Sequence, residues 1–362
     1  MIVREWISII KRLVFETFRP SVETQASHSV SQWGAIMRKI LCSLFRQMIA
    51  VLGCAIALPG HAETLIFGHI LDDSTAHHQG ILWAANQIET QTGGRYQLQV
   101  FPRGQLGKTD AEVVEGFKNG TADMAYLSFG HLLNLYPPLA IGAGPYVFRD
   151  FDHWRAFRDS PLFQELVADM ERKTGLKTFG LAYYGERHVT TNSPLHSVED
   201  FKGLVIRVPN IPTMILTFRA LGARPVPLPF KETYQALKAR VVDAQENPLP
   251  AIRAMRFYEV SPVINLTGHI LDAQLIVMDA KRWNALPAPD QAILARIFGE
   301  TAQRVTQSVR QEELELRQTL RDQGATFNEV DRAALAAALQ PFHHSDYFPW
   351  GGALYDRIQA LR

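Results

Sequence analysis

Residues 287–324 read PAPDQAILARIFGETAQRVTQSVRQEELELRQTLRDQG, a stretch with almost no helix-breaking residue. Its apolar residues recur at helical spacing, which predicts one long amphipathic helix. At a rise of about 1.5 Å per residue, such a helix reaches roughly 50 Å, which is longer than one small lobe of a protein is wide. We therefore predict that this helix braces two lobes.

Upstream of this helix, short apolar runs alternate with helical patterns from residue 64 onward. The predicted strands are residues 64–70, 96–101 and 122–127, and the predicted helices between them are residues 76–90 and 110–119. A rhythm of strand, helix, strand, helix and strand is typical of an α/β lobe, in which helices cover a largely parallel sheet.

A second series of elements begins at residue 177 and closes with a long predicted strand at 270–278. We predict extended segments at 177–184, 188–191, 203–208 and 241–245, helices at 211–221, 231–239 and 248–257, and a proline-rich extended connector at 225–229. No Ser/Gly-rich linker separates the two series. We therefore expect the chain to cross between two lobes on ordered strands.

The N-terminal part has the pattern of an export signal. Residues 37–62 begin with Arg38 and Lys39, continue into an apolar run of about ten residues, and end in small residues before a cleavage site after Ala62. The apolar run is too short to span a bilayer, which needs roughly 20 residues. We predict that translation starts at Met37 and that residues 1–62 are an N-terminal extension plus signal peptide. An anchor helix within residues 6–18 is the alternative.

The composition excludes some classes of partner. Apolar residues make up 47% of the chain and charged residues 20%, as in a globular protein with a proper core. Removing the leader's seven basic and three acidic side chains changes the net charge from +1 to −3, so no nucleic-acid partner is expected. Both cysteines, Cys42 and Cys54, lie in the leader. The apolar run continues beyond Cys54, which disfavours a lipid anchor at that residue.

No enzyme motif stands out in the mature chain. It has no G-x-S-x-G, H-E-x-x-H, C-x-x-C or Walker loop, and no G-x-G-x-x-G after a strand. The pairs His77–His78 and His343–His344 could suggest a metal site, but adjacent side chains on a helix point about 100° apart and chelate poorly. We predict no catalytic residue, no metal ligand and no cofactor.

Two arginines lie at the ends of predicted extended segments. Arg207 ends the strand LVIR at 204–207, and Arg187 lies where two extended segments meet. In open α/β sheets, ligands bind outside the carboxyl ends of strands. A guanidinium group presents a planar fork of donors that fits a carboxylate, which lysine cannot reproduce. An arginine paired with a structural Asp or Glu is an equally good interpretation of the spacing alone.

Three other polar or aromatic residues lie near predicted strand ends. Glu246 and Asn247 follow the predicted strand 241–245. The amide of Asn247 could donate to a carboxylate, or it could cap the helix that begins at residue 248. Phe230 follows the proline-rich connector and could form a wall of the binding site, although a core position is the default for phenylalanine.

Read together and in order, these residues resemble the substrate-binding proteins of TRAP (tripartite ATP-independent periplasmic) transporters, the DctP-like family. The resemblance covers essentially the whole mature chain. The matching strings are FPRGQLG (101–107), GTADMAY (120–126), NSP (192–194), DFKGLVIRVP (200–209), LGA (221–223), YQAL (234–237) and VDAQENPL (242–249).

The resemblance implies an α/β, two-lobed periplasmic binding protein fold (type II-like), with hinge strands and a long helix spanning both lobes. The predicted boundaries place residues 63–184 and 271–300 in lobe 1, and residues 185–270 and 301–362 in lobe 2.

The resemblance also implies a ligand carboxylate held by Arg207, with Arg187 and Asn247 assisting and Phe230 as an aromatic wall. Five further residues lie near positions that determine specificity in the family: His69, Tyr126, Leu127, Asn210 and His269. Members that bind sialic acid carry a glutamate where this chain has Leu127, which indicates a different ligand.

The leading hypothesis is a periplasmic solute-binding component. It captures a small organic acid, either a sugar acid or a C4-dicarboxylate, and delivers it as a monomer to the small and large membrane subunits of a TRAP permease. The alternatives are an exported α/β enzyme acting on an organic acid and a ligand sensor on the same fold. The missing nucleophile motifs disfavour the enzyme.

Overall fold

The computed structural model describes residues 62–362. These residues do not include the predicted start at Met37, the predicted signal peptide, the alternative anchor helix within residues 6–18 or the lipid-anchor position at Cys54, which the sequence disfavours. Among the helices within residues 62–362, none is both long enough and apolar enough to cross a membrane.

All strands of the described residues belong to one sheet. They are β1 (Glu63–Gly68), β2 (Tyr96–Phe101), β3 (Met124–Ser128), β4 (Leu176–Thr191), β5 (Val205–Val208), β6 (Arg224–Pro227), β7 (Ala244–Pro248), β8 (Val263–Asp279) and β9 (Thr326–Asn328).

Helices cover the sheet, and several begin at a Ser, Thr or Asp whose side chain accepts a hydrogen bond from the first turn. They are α1 (Ala76–Gln91), α2 (Asp110–Glu115), α3 (Pro137–Ala140), α4 (Phe151–Arg158), α5 (Pro161–Thr174), α6 (Pro212–Ala220), α7 (Thr233–Lys238), α8 (Leu249–Ala254), α9 (Ala280–Asn284), α10 (Ala288–Asp322), α11 (Arg332–His343) and α12 (Gly352–Gln359).

The strand order is β2-β1-β3-β8-β4-β7-β5-β6, with β9 paired to β8. β1 is parallel to β2 and β3, and β5 is parallel to β6 and β7. β4 is antiparallel to β7 and to β8, and β8 is also antiparallel to β3. The sheet as a whole is therefore mixed. The largely parallel arrangement predicted for the first series of strands is confirmed for β1, β2 and β3. The antiparallel pairing of β8 with β3 and with β4 was not predicted, because a local apolar pattern does not reveal the direction in which a strand runs.

The two long strands β4 and β8, of 16 and 17 residues, join two lobes. We call β1–β3 with their helices the first lobe, and β5–β7 with theirs the second lobe. The two extended segments predicted at 177–191 form the single strand β4, with register shifts on either side of Gly185 and Arg187. Gly185 has φ +127°, a backbone conformation that favours glycine. The predicted crossing on ordered strands is confirmed.

Each lobe has its own hydrophobic core. The core of the first lobe contains the fully buried side chains of Phe67 and Trp154, and Trp350 near the C-terminus also packs in it. The second lobe has two smaller clusters, one containing Phe218 and the other Phe257. The predicted residue boundaries of the lobes stay a prediction.

The long helix predicted at residues 287–324 is confirmed as α10, of 35 residues. Leu294 on its first half packs into the core of the first lobe, whereas Leu320 near its end packs into the cluster of the second lobe that contains Phe257. Between these points α10 lies against β4, where Gly180 faces Ala302. The helix therefore spans both lobes and packs against the hinge strand β4.

Substituting two glycines at the contact between α10 and β4 should change the stability of the protein in opposite directions. A Cβ added at Gly180 would lie 2.8 Å from the Cβ of Ala302, so Gly180→Ala should destabilise the protein by about 1–3 kcal/mol through overpacking. Gly299, on α10 itself, has only the carbonyl oxygen of Phe179 nearby, at 3.8 Å, so Gly299→Ala should stabilise it by about 0.5–1 kcal/mol. Urea unfolding measures both changes. Equal effects of the two substitutions would contradict the packing described.

Candidate functional site

A cavity of about 270 Å³ lies between the two lobes, and both lobes and both hinge strands contribute to its walls. This volume is close to the lower end of the range for small-molecule sites. The first lobe and β8 supply Ile70, Leu71, Lys108, Thr109, Asp110, Glu112, Ser128, His131, Asp272 and Gln274. The hinge strand β4 and the second lobe supply Tyr184, Arg187, Arg207, Pro209, Asn210, Ile211, Met214, Pro227, Leu228, Pro229, Phe230 and Asn247.

Arg207 lies on β5 and is only 1% exposed. Its neighbours Ile206 and Val208 pack into the core of the second lobe, so strand alternation turns Arg207 to the cavity. Its Nε and Nη2 donate to the carbonyl oxygen of Leu228, at 3.0 and 2.6 Å. Within residues 62–362 no carboxylate forms a salt bridge with it, so the outer edge of the guanidinium, Nη1 and Nη2, remains available for an anion.

Burial is the main cause of a lowered pKa at Arg207, which falls to about 10 even though the charge of Glu246 acts in the opposite direction. The guanidinium is therefore still protonated at neutral pH. A buried charge without an opposite charge in contact is costly, and the arrival of an anion removes that cost.

The segment Pro227-Leu228-Pro229 explains how the carbonyl oxygen of Leu228 is held. Each proline fixes its own φ and lacks an N–H, while the N–H of Leu228 donates to the carbonyl oxygen of Val208 at 3.1 Å. The residues predicted as an extended connector thus form β6 and its continuation beside β5. This arrangement orients the guanidinium of Arg207.

Arg187 is also buried, but carboxylates surround it. Its Nε and Nη2 donate to the carboxylate of Glu246 at 2.5 and 2.7 Å, and its Nη1 donates to Asp272 Oδ2 at 2.7 Å. Burial would lower the pKa of Arg187, but the charges of Glu246 and Asp272 outweigh this and raise it. The arginine paired with structural carboxylates, left open by the sequence, is therefore Arg187 and not Arg207.

Asn247 lies within β7 and not after a strand, because β7 runs from Ala244 to Pro248. Its side chain forms no cap of α8. Its Oδ1 accepts from Arg187 Nη2 at 3.2 Å, and its Nδ2 donates to Gln245 Oε1 at 2.7 Å. The amide nitrogen has a second hydrogen, and Asn247 lines the cavity.

Phe230 and Asn210 also line the cavity. The Cζ of Arg207 lies 6.0 Å from the centre of the Phe230 ring, which packs edge-on against Phe257. Phe230 is thus both a cavity wall and an edge of a core cluster. Asn210 is exposed and follows β5.

Four residues singled out from the sequence do not line the cavity: His69, Tyr126, Leu127 and His269. Leu127 is fully buried in the core of the first lobe, because alternation along β3 turns its neighbour Ser128, not Leu127, to the cavity. Tyr126 packs against Phe67 and donates its hydroxyl to the carbonyl oxygen of His77 at 3.1 Å.

The two histidines in this set are buried and contact other side chains outside the cavity lining. Nε2 of His69 lies 3.0 Å from Nδ1 of His78, and burial lowers the pKa of His69 to about 3. Nε2 of His269 donates to Glu246 Oε2 at 3.3 Å, and Nδ1 of His269 lies 2.8 Å from Thr267 Oγ1. His269 therefore supports the carboxylate that binds Arg187.

Among the polar residues of the cavity that the sequence patterns missed are Asp110, Ser128, His131, Asp272 and Gln274. Asp272 carried a signal, since it is the one charged residue inside the strand predicted at 270–278. Ser128 and Gln274 are cross-strand partners on β3 and β8. That pairing could not be predicted from the sequence, because it joins residues far apart in the chain.

Glu246 provides a test of the ion pair with Arg187. Burial would raise the pKa of Glu246, but the charge of Arg187 and the hydrogen bond from His269 lower it to about 2. Removing one partner of a buried pair is strongly destabilising, so Glu246→Gln should lower the free energy of unfolding at pH 7 by about 3 kcal/mol. A carboxylate with a lowered pKa stabilises the fold above its unfolded pKa and loses this contribution as pH falls toward the folded pKa.

The stability difference between wild type and Glu246→Gln should therefore shrink as pH falls from about 5 toward about 2. Urea unfolding at pH 7, 5 and 3 measures it. The raised pKa of Asp272, caused by burial, acts in the opposite direction, so each pH is compared between variants. The exposed Glu329→Gln is the matched control. A difference that grows on acidification contradicts the assignment.

Known proteins share this architecture. The model of the family "Bacterial extracellular solute-binding protein, family 7" (DctP) matches residues 67–348. The chain is 32% identical over 300 residues to the sialic acid-binding periplasmic protein SiaP of Vibrio cholerae, covering 83% of this chain and 93% of SiaP.

Two solved structures support the same assignment. A TRAP periplasmic solute-binding protein from Bordetella bronchispeptica, with density assigned as pantoate, is 32% identical, with a TM-score of 0.77 and coverage of 83% of this chain and 99% of that one. Another, from Sulfurospirillum deleyianum with bound succinate, is 26% identical, with a TM-score of 0.78 and coverage of 83% and 100%. The chain therefore belongs to the family 7 bacterial extracellular solute-binding proteins, the substrate-binding proteins of TRAP transporters.

Proposed function

We propose that this protein is the periplasmic solute-binding subunit of a TRAP transporter and that it captures a small organic acid by its carboxylate at Arg207. Its relatives are periplasmic binding proteins, and the leader predicted at residues 37–62 supports export of this chain. The sialic acid, pantoate and succinate named with the relatives all carry a carboxylate. Capture and release without chemical change is the activity proposed.

The observation that carries the proposal is the free outer edge of the buried Arg207 guanidinium in the cavity. Because Leu228 occupies Nε and one N–H of Nη2, the fork formed by Nη1 and Nη2 can donate two parallel hydrogen bonds to one carboxylate. Charge-assisted hydrogen bonds contribute about 1.5–3 kcal/mol each. Two such bonds can fix both the affinity for an anion and its orientation.

Arg187 and Asn247 have a supporting role in this proposal. The charge of Arg187 is already balanced by Glu246 and Asp272, so it adds no free positive charge for the ligand. Arg187 instead holds the side chain of Asn247 at the cavity wall, where the remaining amide hydrogen can reach a carboxylate. Phe230 excludes water beside Arg207, which strengthens the hydrogen bonds formed there.

The position of the cavity between the lobes suggests how capture is signalled. A ligand held by Arg207 and by residues of the first lobe favours the closed arrangement of the lobes, through a hinge motion of β4 and β8. We propose that the closed protein, as a monomer, is the form that the small and large membrane subunits of the permease accept.

Arg207→Lys tests the role of the guanidinium. A lysine keeps the charge but cannot form the two-pronged contact, so the dissociation constant for the bound acid should rise at least tenfold. A thermal-shift screen with D-gluconate, D-galacturonate, pantoate and succinate selects the probe, and isothermal titration calorimetry measures its affinity. The matched control is Arg219→Lys, an exposed position at the end of α6. Unchanged affinity in Arg207→Lys would show that the carboxylate binds elsewhere.

A further inference from the structure

We propose that the ligand is a hydroxylated acid with a single carboxylate, and that Asp110, Asp272 and Gln274 bind its hydroxyl groups and exclude a second carboxylate. This inference rests on the proposed function, because it takes Arg207 as the site of the first carboxylate. It adds the chemical class of the remainder of the ligand.

The first step is the balance of charge around the cavity. The lining contains three cationic side chains, Arg187, Arg207 and Lys108. It also contains three carboxylates, those of Asp110, Glu112 and Asp272, so its net charge is close to zero before a ligand enters. Among the buried lining residues of the described chain, Arg207 alone is a cation without a carboxylate partner. The site therefore matches one negative charge on the ligand.

Lys108 does not change this balance. Its side chain is exposed at the rim of the cavity, where water screens its charge. The exposed Glu112 also lines the cavity there and accepts a hydrogen bond from the backbone N–H of Lys108 at 2.8 Å. A second carboxylate near Lys108 would meet the charge of Glu112 as well.

The second step is the supply of hydrogen-bond acceptors elsewhere in the lining of the cavity. Asp110 is 2% exposed, and its Oδ2 accepts one backbone hydrogen bond, from Ser128 at 3.3 Å. Asp272 is 1% exposed and accepts from Arg187 and from the N–H of Ala273. A carboxylate has about four acceptor sites, so both groups retain acceptor capacity.

Gln274 and His131 add buried polar atoms that lack a partner. Within residues 62–362, the Oε1 of Gln274 and the two ring nitrogens of His131 have no hydrogen-bond partner, and His131 Nδ1 lies 3.5 Å from Asp110 Oδ2. Leaving such groups unsatisfied costs about as much as a lost hydrogen bond, and a bound ligand removes the cost. The two carboxylates can accept further hydrogen bonds, and the amide oxygen of Gln274 lacks a donor. Hydroxyl groups donate, whereas an ionised carboxylate has no hydrogen to donate.

The distribution of these groups favours several hydroxyls over one ammonium group. The acceptors lie on separate elements: Asp110 is on α2, Asp272 and Gln274 are on β8, and His131 is in the short 3-10 helix after β3. Carboxylates clustered at one point would bind an ammonium ion best. Hydroxyl groups spaced along a carbon chain fit a wall of separate acceptors that is mixed with the donors of Ser128 and His131.

The test compares small acids that differ by one feature, by titration calorimetry on the full protein at pH 8. The hydroxylated monoacids are D-gluconate, L-gulonate and D-galacturonate. Hexanoate lacks hydroxyls, galactarate and succinate carry a second carboxylate, and 6-aminohexanoate carries an ammonium group. We expect at least one hydroxylated monoacid to bind at least tenfold more tightly than each of the other four probes.

Succinate, galactarate or hexanoate binding as tightly as the best hydroxylated monoacid overturns the inference but leaves capture at Arg207 intact. A preference for 6-aminohexanoate overturns it in favour of an ammonium ligand. Binding of none of the probes contradicts the proposed function as well, so the two failures can be told apart.

Two variants test whether Asp110 and Gln274 cause the preference for a hydroxylated monoacid. Asp110→Asn removes a charge, so the preference for the best monoacid over galactarate should fall at least tenfold. Gln274→Leu removes an acceptor, so it should weaken the monoacid at least tenfold and leave hexanoate unchanged. The control is Asp331→Asn at the exposed cap of α11, and thermal melting without ligand shows that each variant is folded. An unchanged preference in both Asp110→Asn and Gln274→Leu contradicts the proposal.

Discussion

The buried ion pairs of Arg187 with Glu246 and Asp272 determine how the rest of the site works. They join β4, β7 and β8 where the hinge strands meet the second lobe. They also balance the charge of Arg187, which leaves Arg207 as the buried cation of the cavity without a carboxylate partner among the described residues. In the proposed function an anion is recognised at this one point, while the paired charges join the strands that form the cavity walls.

The fold produces this arrangement from simple elements. Two α/β lobes place strand ends around a common cavity, and β4 and β8 pass from one lobe to the other. The helix α10 packs against β4. Register shifts around Gly185 and Arg187 bring Tyr184 and Arg187 to the same cavity, although an odd spacing would place them on opposite faces of a regular strand. The irregular part of β4 is thus the part that forms the site.

The sequence predicted features that depend on local pattern or on strand ends. It predicted α10, the α/β lobes and the crossing on ordered strands, and it singled out Arg207, Arg187, Asn247, Phe230 and Asn210, which all line the cavity. The residue pattern alone did not show which arginine is paired with carboxylates, because the partners of Arg187 come from β7 and β8. It also selected Leu127 where the next residue, Ser128, faces the cavity, since one position along a strand reverses the direction of a side chain.

A crystal structure of the protein with a bound hydroxylated monoacid would test the central claim most directly. The claim predicts both carboxylate oxygens at about 2.7–2.9 Å from Nη1 and Nη2 of Arg207, with Arg187 still paired to Glu246 and Asp272. A ligand carboxylate that instead contacts Lys108 or His131, with the outer edge of Arg207 facing only water, would contradict it.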